Sequence, residues 1–222
     1  MGKKMIITGV DHSHEDLLEW WLKNVYKHHN YNVEVGVMDF GMSPALRGRL
    51  EDNYPATFSR PFNGTKARKI GWFYKVQAVM DCPSKSVCWL DVDCEILTDI
   101  SDVYNLVPPG MIGLTRDWVR GNWWATGVIV VNDRPSLLEH WDRRLNADDG
   151  IRGDQEALYE LVGNKEHEQI QELPQDYQWL RISLNKGKDS PTKKVIHWTG
   201  PRGKQFIRDH LMKGGTFKGQ QV

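Results

Sequence analysis

The chain has 222 residues, enough for one α/β domain or a compact pair of subdomains with a substantial core. Its 29 basic and 29 acidic side chains cancel to zero net charge, so it lacks the electrostatic footprint of a nucleic-acid-binding protein or of one held to an acidic membrane. No apolar run approaches membrane-spanning length, and Met1–Lys4 leads straight into a strand-like segment in place of a signal-peptide core, so a cytoplasmic protein with no integral membrane segment is expected.

In chain order, Ile6–Val10 reads as a first strand ending in Asp11. Ser13 and Asp16 have capping-box spacing ahead of a helix that carries Leu17, Leu18, Trp21, Leu22 and Val25 on one face. Val33–Asp39 alternates as a second strand, so the chain opens as a βαβ unit with a parallel sheet. A short helix is expected from Ser43 to Asp52 and a loop from Tyr54 to Thr65. A helix is expected from Lys66 to Asp81, with Trp72, Phe73, Val76, Val79 and Met80 inward and Pro83 stopping it. Then comes the apolar run Val87–Leu90, ending in Asp91-Val92-Asp93.

Met111–Leu114 is a predicted strand, Thr115–Trp124 a polar, aromatic loop, and Gly127–Asn132 a buried strand. A helix starting at Pro135 and Ser136 carries Leu137, Leu138, Trp141 and Leu145. Asn146–Gly153 is a loop and Asp154–Leu161 a helix, followed by short strands at Ile170–Leu173 and Lys194–His197. Residues 214–222 read as a fraying tail. The cysteines Cys82, Cys88 and Cys94 are too few and too close together for a disulfide framework, and read as buried thiols of a reducing compartment. Of the 10 tryptophans, Trp118, Trp123, Trp124 and Trp198 lie in polar or Gly-rich surroundings, where exposed indoles offer faces for a sugar ring.

The chemistry concentrates at the end of the Val87–Leu90 run. Open α/β sheets bind ligands beyond the carboxyl ends of their strands. Asp91 and Asp93 fall on one side of an extended chain, so both can reach one hard cation and leave positions for phosphate oxygens. The plainer reading is an acidic turn that caps backbone N–H groups. His197, after Val195-Ile196, can complete a mixed oxygen and nitrogen site of the kind Mn2+ accepts. The basic segment after it brings Arg202 and Lys204 within reach of phosphate; alternatively these are solvated charges. Lys75 either reaches a donor phosphate or sugar or snorkels at the surface. Asp154-Gln155 either bonds sugar hydroxyls or caps a helix. Asp11 either accepts from a nucleotide base or closes a turn, and Arg60 and Arg68 read as surface charges.

Taken together, these residues resemble the metal-dependent GT-A glycosyltransferases, in particular the retaining group that includes glycogenin and the lipopolysaccharide galactosyltransferases. Trp72–Ala78 looks like that group's donor-side helix and Trp89–Asp93 like its DxD strand. Ala125–Asn132 is similar to its N-x-G strand, Gly153-Asp154-Gln155 to its D-Q pair, and His197-Trp198-Thr199-Gly200 to its H-x-x-G motif. The likeness runs from Met5 to about Lys204 and departs at two places. Ala125 replaces the usual Asn, and the lysine after His197 is displaced by one, leaving Arg202 and Lys204 as rival phosphate ligands.

The resemblance implies a single GT-A, Rossmann-like α/β domain over 1–213, with a mixed, mostly parallel sheet flanked by helices. Its nucleotide-binding half covers about 1–100 and its acceptor-side half about 101–213. It implies Mn2+ or Mg2+ held by Asp91, Asp93 and His197. Thr8, Asp11, Lys75, Gly200, Arg202 and Lys204 would face a nucleotide-sugar donor, most simply a UDP-sugar. Asp154, Gln155 and Lys75 would serve the transfer to a saccharide, lipid-linked or protein acceptor. The alternatives are a non-catalytic sugar-nucleotide or carbohydrate-binding module, kept open by Ala125, and a sugar-phosphate nucleotidyltransferase. The latter is disfavoured because Gly9–His14 holds no Lys or Arg.

Overall fold

A computed structural model describes residues 3–28, 30, 32–62, 71–147 and 150–217. The opening βαβ unit forms as expected. β1 (Lys4–Val10) runs into α1 (Leu18–His28) and returns as β2 (Val33–Asp39), parallel to β1. After α2 (Pro44–Asn53), a two-residue strand, β3 (Thr57–Phe58), adds to the edge of β2, inside the segment expected to be loop. α3 (Lys75–Asp81) precedes β4 (Ser86–Leu90), which lies parallel to β1 on its other side.

β6 (Met111–Asp117) and β7 (Trp123–Asn132) form a hairpin, with β7 antiparallel to β4. β8 (Ile170–Glu172) closes the far edge parallel to β6, giving the seven-stranded order β3-β2-β1-β4-β7-β6-β8. This is the mixed, mostly parallel α/β sheet that was expected. Alternation along β1 sends Ile6 and Val10 to a layer shared with Leu18, Trp21 and Leu22 of α1. Met5 and Ile7 go to the opposite layer, shared with Val76 of α3 and Leu138 and Trp141 of α4 (Ser136–Asn146). Helices therefore cover both faces, with α5 (Asp154–Val162) adding Ala157 and Leu158 to the second layer.

A second sheet sits beyond the end of β4. β5 (Cys94–Ile96) pairs antiparallel with β10 (Val195–His197), which runs parallel to β9 (Trp179–Leu180). α6 (Arg181–Asn185) follows β9, and α7 (Gly200–Asp209) follows β10. The register sets His197 opposite Cys94, one residue past Asp93.

Several local expectations are corrected. The Ser13–Asp16 capping box does not form. Ser13 gives its N–H and hydroxyl to Asp11, two residues back, and the chain enters α1 through a 3-10 turn at Glu15–Leu17 with no side-chain cap. Asp11 wins because the Asx-turn partner is nearer along the chain. The helix expected from Lys66 begins, in its described part, as a 3-10 turn at Gly71–Tyr74 and becomes α-helical only at Lys75; Arg68 lies outside the described residues. Half of the Thr115–Trp124 loop is strand, and β6 and β7 are joined by a 3-10 turn at Trp118–Arg120 and a tight turn where Gly121 and Asn122 both take φ of 65°. The basic segment after His197 forms α7, with a proline in its first turn. The tail does not fray at once either. Phe217 packs on Trp198 with ring centroids 5.7 Å apart, while residues 218–222 lie outside the description.

Candidate functional site

The carboxyl ends of β1 and β4 and the start of β7 share one rim of the main sheet, and a cleft of about 800 Å³ opens there. That volume suits a small-molecule site. Asp91 leaves β4 with its N–H bonded to the Gly127 carbonyl at 2.8 Å. Two residues on, the Asp93 carbonyl accepts from the Trp198 N–H at 2.9 Å, which ties the turn to the end of β10. These backbone bonds bring the imidazole of His197 to the acid pair across more than a hundred residues of sequence.

Each carboxylate is split between two jobs. Asp91 Oδ1 accepts from Trp89 Nε1 at 2.8 Å and faces Lys75 Nζ at 2.8 Å. Its Oδ2 lies 3.6 Å from His197 Nε2. Asp93 Oδ1 lies 3.2 Å from the same nitrogen, while its Oδ2 accepts from Lys204. One oxygen of each carboxylate thus lies near the same imidazole nitrogen. The donor set fits a hard or borderline divalent cation such as Mn2+. Asp91 stands outside the set of ligand atoms that all lie within 4.8 Å of one another, whose third member beside Asp93 and His197 is Cys94 Sγ. Cys94 is a poorer candidate than Asp91. Burial first, then the two aspartates, push its thiol well above the ordinary range, and its sulfur faces the Gly127 carbonyl at 3.7 Å.

Asp93 is buried, and burial is the largest single influence on it, working to raise its pKa. His197 and Lys204 together outweigh burial and hold the carboxyl below its ordinary range. Lys75 shows the mirror case. Burial works to strip its proton, but Asp154 and Asp91 overcome it and hold the ammonium above its usual range. The Lys75 ammonium is 2.7 Å from Asp154 Oδ2, 2.8 Å from Asp91 Oδ1 and 2.9 Å from the Thr126 carbonyl, so its three hydrogens are committed. It is an internal strut, not the snorkelling lysine that the sequence left open.

Asp154 and Gln155 open α5 at the cleft wall, where Trp141 Nε1 bonds the Asp154 carbonyl at 2.9 Å. Gln155 Nε2 donates to Asp117 Oδ2 at 3.1 Å. Asp11 lines the cleft and accepts from the Gly71 N–H at 3.1 Å; bonding to His14, the largest influence, holds its carboxyl low.

Other expected residues fall elsewhere. Thr8 is fully buried on the same β1 face as Ile6 and Val10 and is absent from the cleft wall, so strand alternation corrects its expected place beside a base. Of the rival cations, Lys204 reaches Asp93 and lines the cleft. Arg202 is exposed, and neither it nor Gly200 forms part of the wall. Ala125 is buried in β7, one residue outside the cleft-lining Thr126.

The aromatic expectations split as well. Trp123 lines the cleft, stacked on Tyr159 with centroids 4.0 Å apart. Trp118 is exposed against Trp179. Trp124 and Trp198 are core residues: Arg116 covers one, and the other bonds Glu95 at 3.0 Å. Trp72, expected to face inward, is 42 % exposed and lines the cleft, because the 3-10 turn rotates it away from the core. Asp117 and Gln178 were missed. Asp117 ends β6 just before the Gly121-Asn122 turn, a dipeptide that could have marked the hairpin. Gln178 carried no local signal.

No family model matches the chain, and a search of curated proteins finds no relative. Solved structures do match. The chain superposes on the galactosyltransferase LgtC in complex with donor and acceptor sugar analogues, with a TM-score of 0.63 at 14% identity, covering 96% of each chain. The apo glycosyltransferase GlyE of Streptococcus pneumoniae TIGR4 gives 0.69 at 14% identity over 89% of this chain. The apo form of the bifunctional glycosyltransferase WbbM gives 0.69 at 12% identity over 90% of this chain. The chain has the GT-A fold. At these identities the likeness is one of fold, and the chain spans 55% of the GlyE chain and 46% of the WbbM chain. Within that fold, the site lies where an α/β sheet offers its strand ends to a ligand.

Proposed function

We propose that the protein is a glycosyltransferase that moves a sugar from a nucleotide-diphosphate donor, most simply a UDP-sugar, to a saccharide, lipid-linked or protein acceptor, with retention of configuration. The observation that carries this reading is the meeting of Asp91, Asp93 and His197 at the mouth of a cleft that also holds Lys75, Asp154 and Gln155. In this reading the three residues hold Mn2+ or Mg2+. Such a cation, when bound, supplies Lewis-acid charge neutralisation at the diphosphate.

The chain's own groups do the rest. Lys204, part-exposed and already beside Asp93, swings to a phosphate oxygen and adds fixed positive charge there. Lys75 holds Asp154 in place through their 2.7 Å ion pair. Asp154 and Gln155 orient the sugar and face the oxocarbenium-like carbon that glycosyl transfer generates. Asp11, on the half up to about residue 100, meets the base. Trp123 and Trp72 give the acceptor flat faces. No helix among the described residues is long and apolar enough to cross a membrane, and the three buried free cysteines suit a reducing, cytoplasmic setting.

The test is to incubate the protein with Mn2+ and a panel of sugar nucleotides and follow free nucleoside diphosphate. Slow, metal-dependent release from one donor is expected even without acceptor. Excess chelator should abolish it, and Asp93→Asn should lower it by orders of magnitude while leaving the folded protein intact by circular dichroism. Full activity in that variant or in chelator removes the metal assignment. Tight binding with no turnover across many acceptors turns the reading into that of a binding module, and pyrophosphate formation from a nucleoside triphosphate into that of a nucleotidyltransferase.

A further inference from the structure

Gln178 lies against the side of His197 that faces away from the carboxylates, in the residue just before β9. Its side chain is buried, and its Oε1 accepts the Val128 backbone N–H at 2.8 Å, with Thr115 Oγ1 3.5 Å away. That bond fixes the amide, because a flip would set an NH2 group against another N–H. Nε2 therefore points at His197 Nδ1, 3.1 Å away. An amide nitrogen only donates, so Nδ1 is the bare, accepting nitrogen. The proton of the neutral ring then sits on Nε2, facing Asp93 Oδ1 at 3.2 Å and Asp91 Oδ2 at 3.6 Å. Gly127 makes room for this contact. A Cβ there would come within 2.4 Å of Nδ1 and 2.9 Å of Gln178 Nε2.

A metal-ligating imidazole needs the opposite arrangement: a lone pair on Nε2 and a proton on Nδ1, given to an oxygen. Resting on the reading that His197 joins the two aspartates around a cation, we propose that Gln178 is a positioning residue for the metal site. It holds His197 in the tautomer that pairs with the aspartates, so that cation loading requires its amide to turn and give up the Val128 bond. The site is thereby poised between a closed acid–imidazole state and a loaded one, and its affinity is lower than its donors alone would provide.

Two measurements on the full chain test this. In metal-free protein labelled with 15N-histidine, with the His197 signals assigned by their loss in His197→Gln, the ring should be the Nε2–H tautomer. An Nδ1–H ring overturns the proposal. In Gln178→Glu, the carboxylate can accept from both Val128 N–H and Nδ1–H. Calorimetric titration with Mn2+ alone should show about tenfold tighter binding than wild type, the lower end of what an outer-shell partner of a metal ligand is worth. Mg2+ is the control, since added charge strengthens both ions alike, whereas a freed imidazole nitrogen favours Mn2+. Equal gains for the two ions, or no gain for Mn2+ in a folded variant, overturn the proposal. Should Gln178→Glu fail to fold, the wild-type tautomer decides. An Nε2–H ring in a protein that binds no Mn2+ supports the hold of Gln178 on His197 and removes the metal from the proposed function.

Discussion

Two lysines flank the Asp-x-Asp turn, and they are built for different tasks. The Lys75 side chain is 3% exposed and gives its ammonium to Asp91, Asp154 and the Thr126 carbonyl. The Lys204 side chain is 21% exposed and, among the described residues, reaches only Asp93. A buried ion has no water to fall back on, so its partners define its position. A part-exposed ion keeps some hydration and can change partner at little cost. The site is therefore rigid on the α3 side, where Lys75 locks α5 to the end of β4. It is adaptable on the α7 side, where an incoming anion can draw Lys204 off Asp93.

The sharpest way to break this contrast is to remove each lysine's charge. Lys75→Met strands Asp91 and Asp154 without their cation, and should destabilise the protein by about 3–5 kcal/mol, read from urea denaturation. A loss below about 1 kcal/mol, the scale of exposed pairs, would show that Lys75 is no strut. Lys204→Met should cost less stability than Lys75→Met, because Lys204 leaves one carboxylate where Lys75 leaves two, and His197 stays 3.2 Å from the buried Asp93. Its effect extends to ligand binding. A hydrogen bond to a charged group contributes roughly 1.5–3 kcal/mol, so UDP binding in the presence of Mn2+ should weaken about tenfold or more by calorimetry. Unchanged UDP affinity would show that Lys204 only neutralises Asp93.

The contrast between the two sides also tracks what could be read from the sequence. The β4 side announces itself locally. Val87–Leu90 is apolar without interruption, the acids follow at once, and β1–α1–β2 has clean periodicities, so strand ends and acid pair were legible together. The other side depends on pairing between distant segments. β5 is three residues long and β10 likewise, and nothing in either announces that Cys94 faces His197. His197 was a candidate as an imidazole after an apolar pair and again through a motif resemblance, and its meeting with the acids came from that antiparallel register. Gln178 was invisible because its role is set by three partners, Thr115, Val128 and His197, from three different strands. Trp198 and Trp124 were misread for the same reason. Polar neighbours in sequence said little, because Glu95 and Arg116 approach them from other strands.

A third ion pair extends the comparison to its weakest end. Arg208 of α7 meets Asp16 through two nitrogens, one of them 3.0 Å from Asp16 Oδ1, with the side chains 33% and 46% exposed. The Arg208 hydrogen bond, as the largest influence, holds the Asp16 carboxyl below its ordinary range. A carboxyl whose pKa is depressed by folding contributes stability above its unfolded pKa and loses it as the pH falls through the folded value. Solvent screening reduces that contribution to a few tenths of a kcal/mol for so exposed a pair. Arg208→Ala should therefore lower the melting temperature slightly at neutral pH and not at all in strong acid, where Asp16 is protonated with or without its partner. Raising the salt concentration should shrink the neutral-pH difference as well. A large effect, or one that survives both acid and salt, would mean that α7 is anchored through Arg208 as firmly as α3 is through Lys75, and the adaptable side of the site would have to be sought in Lys204 alone.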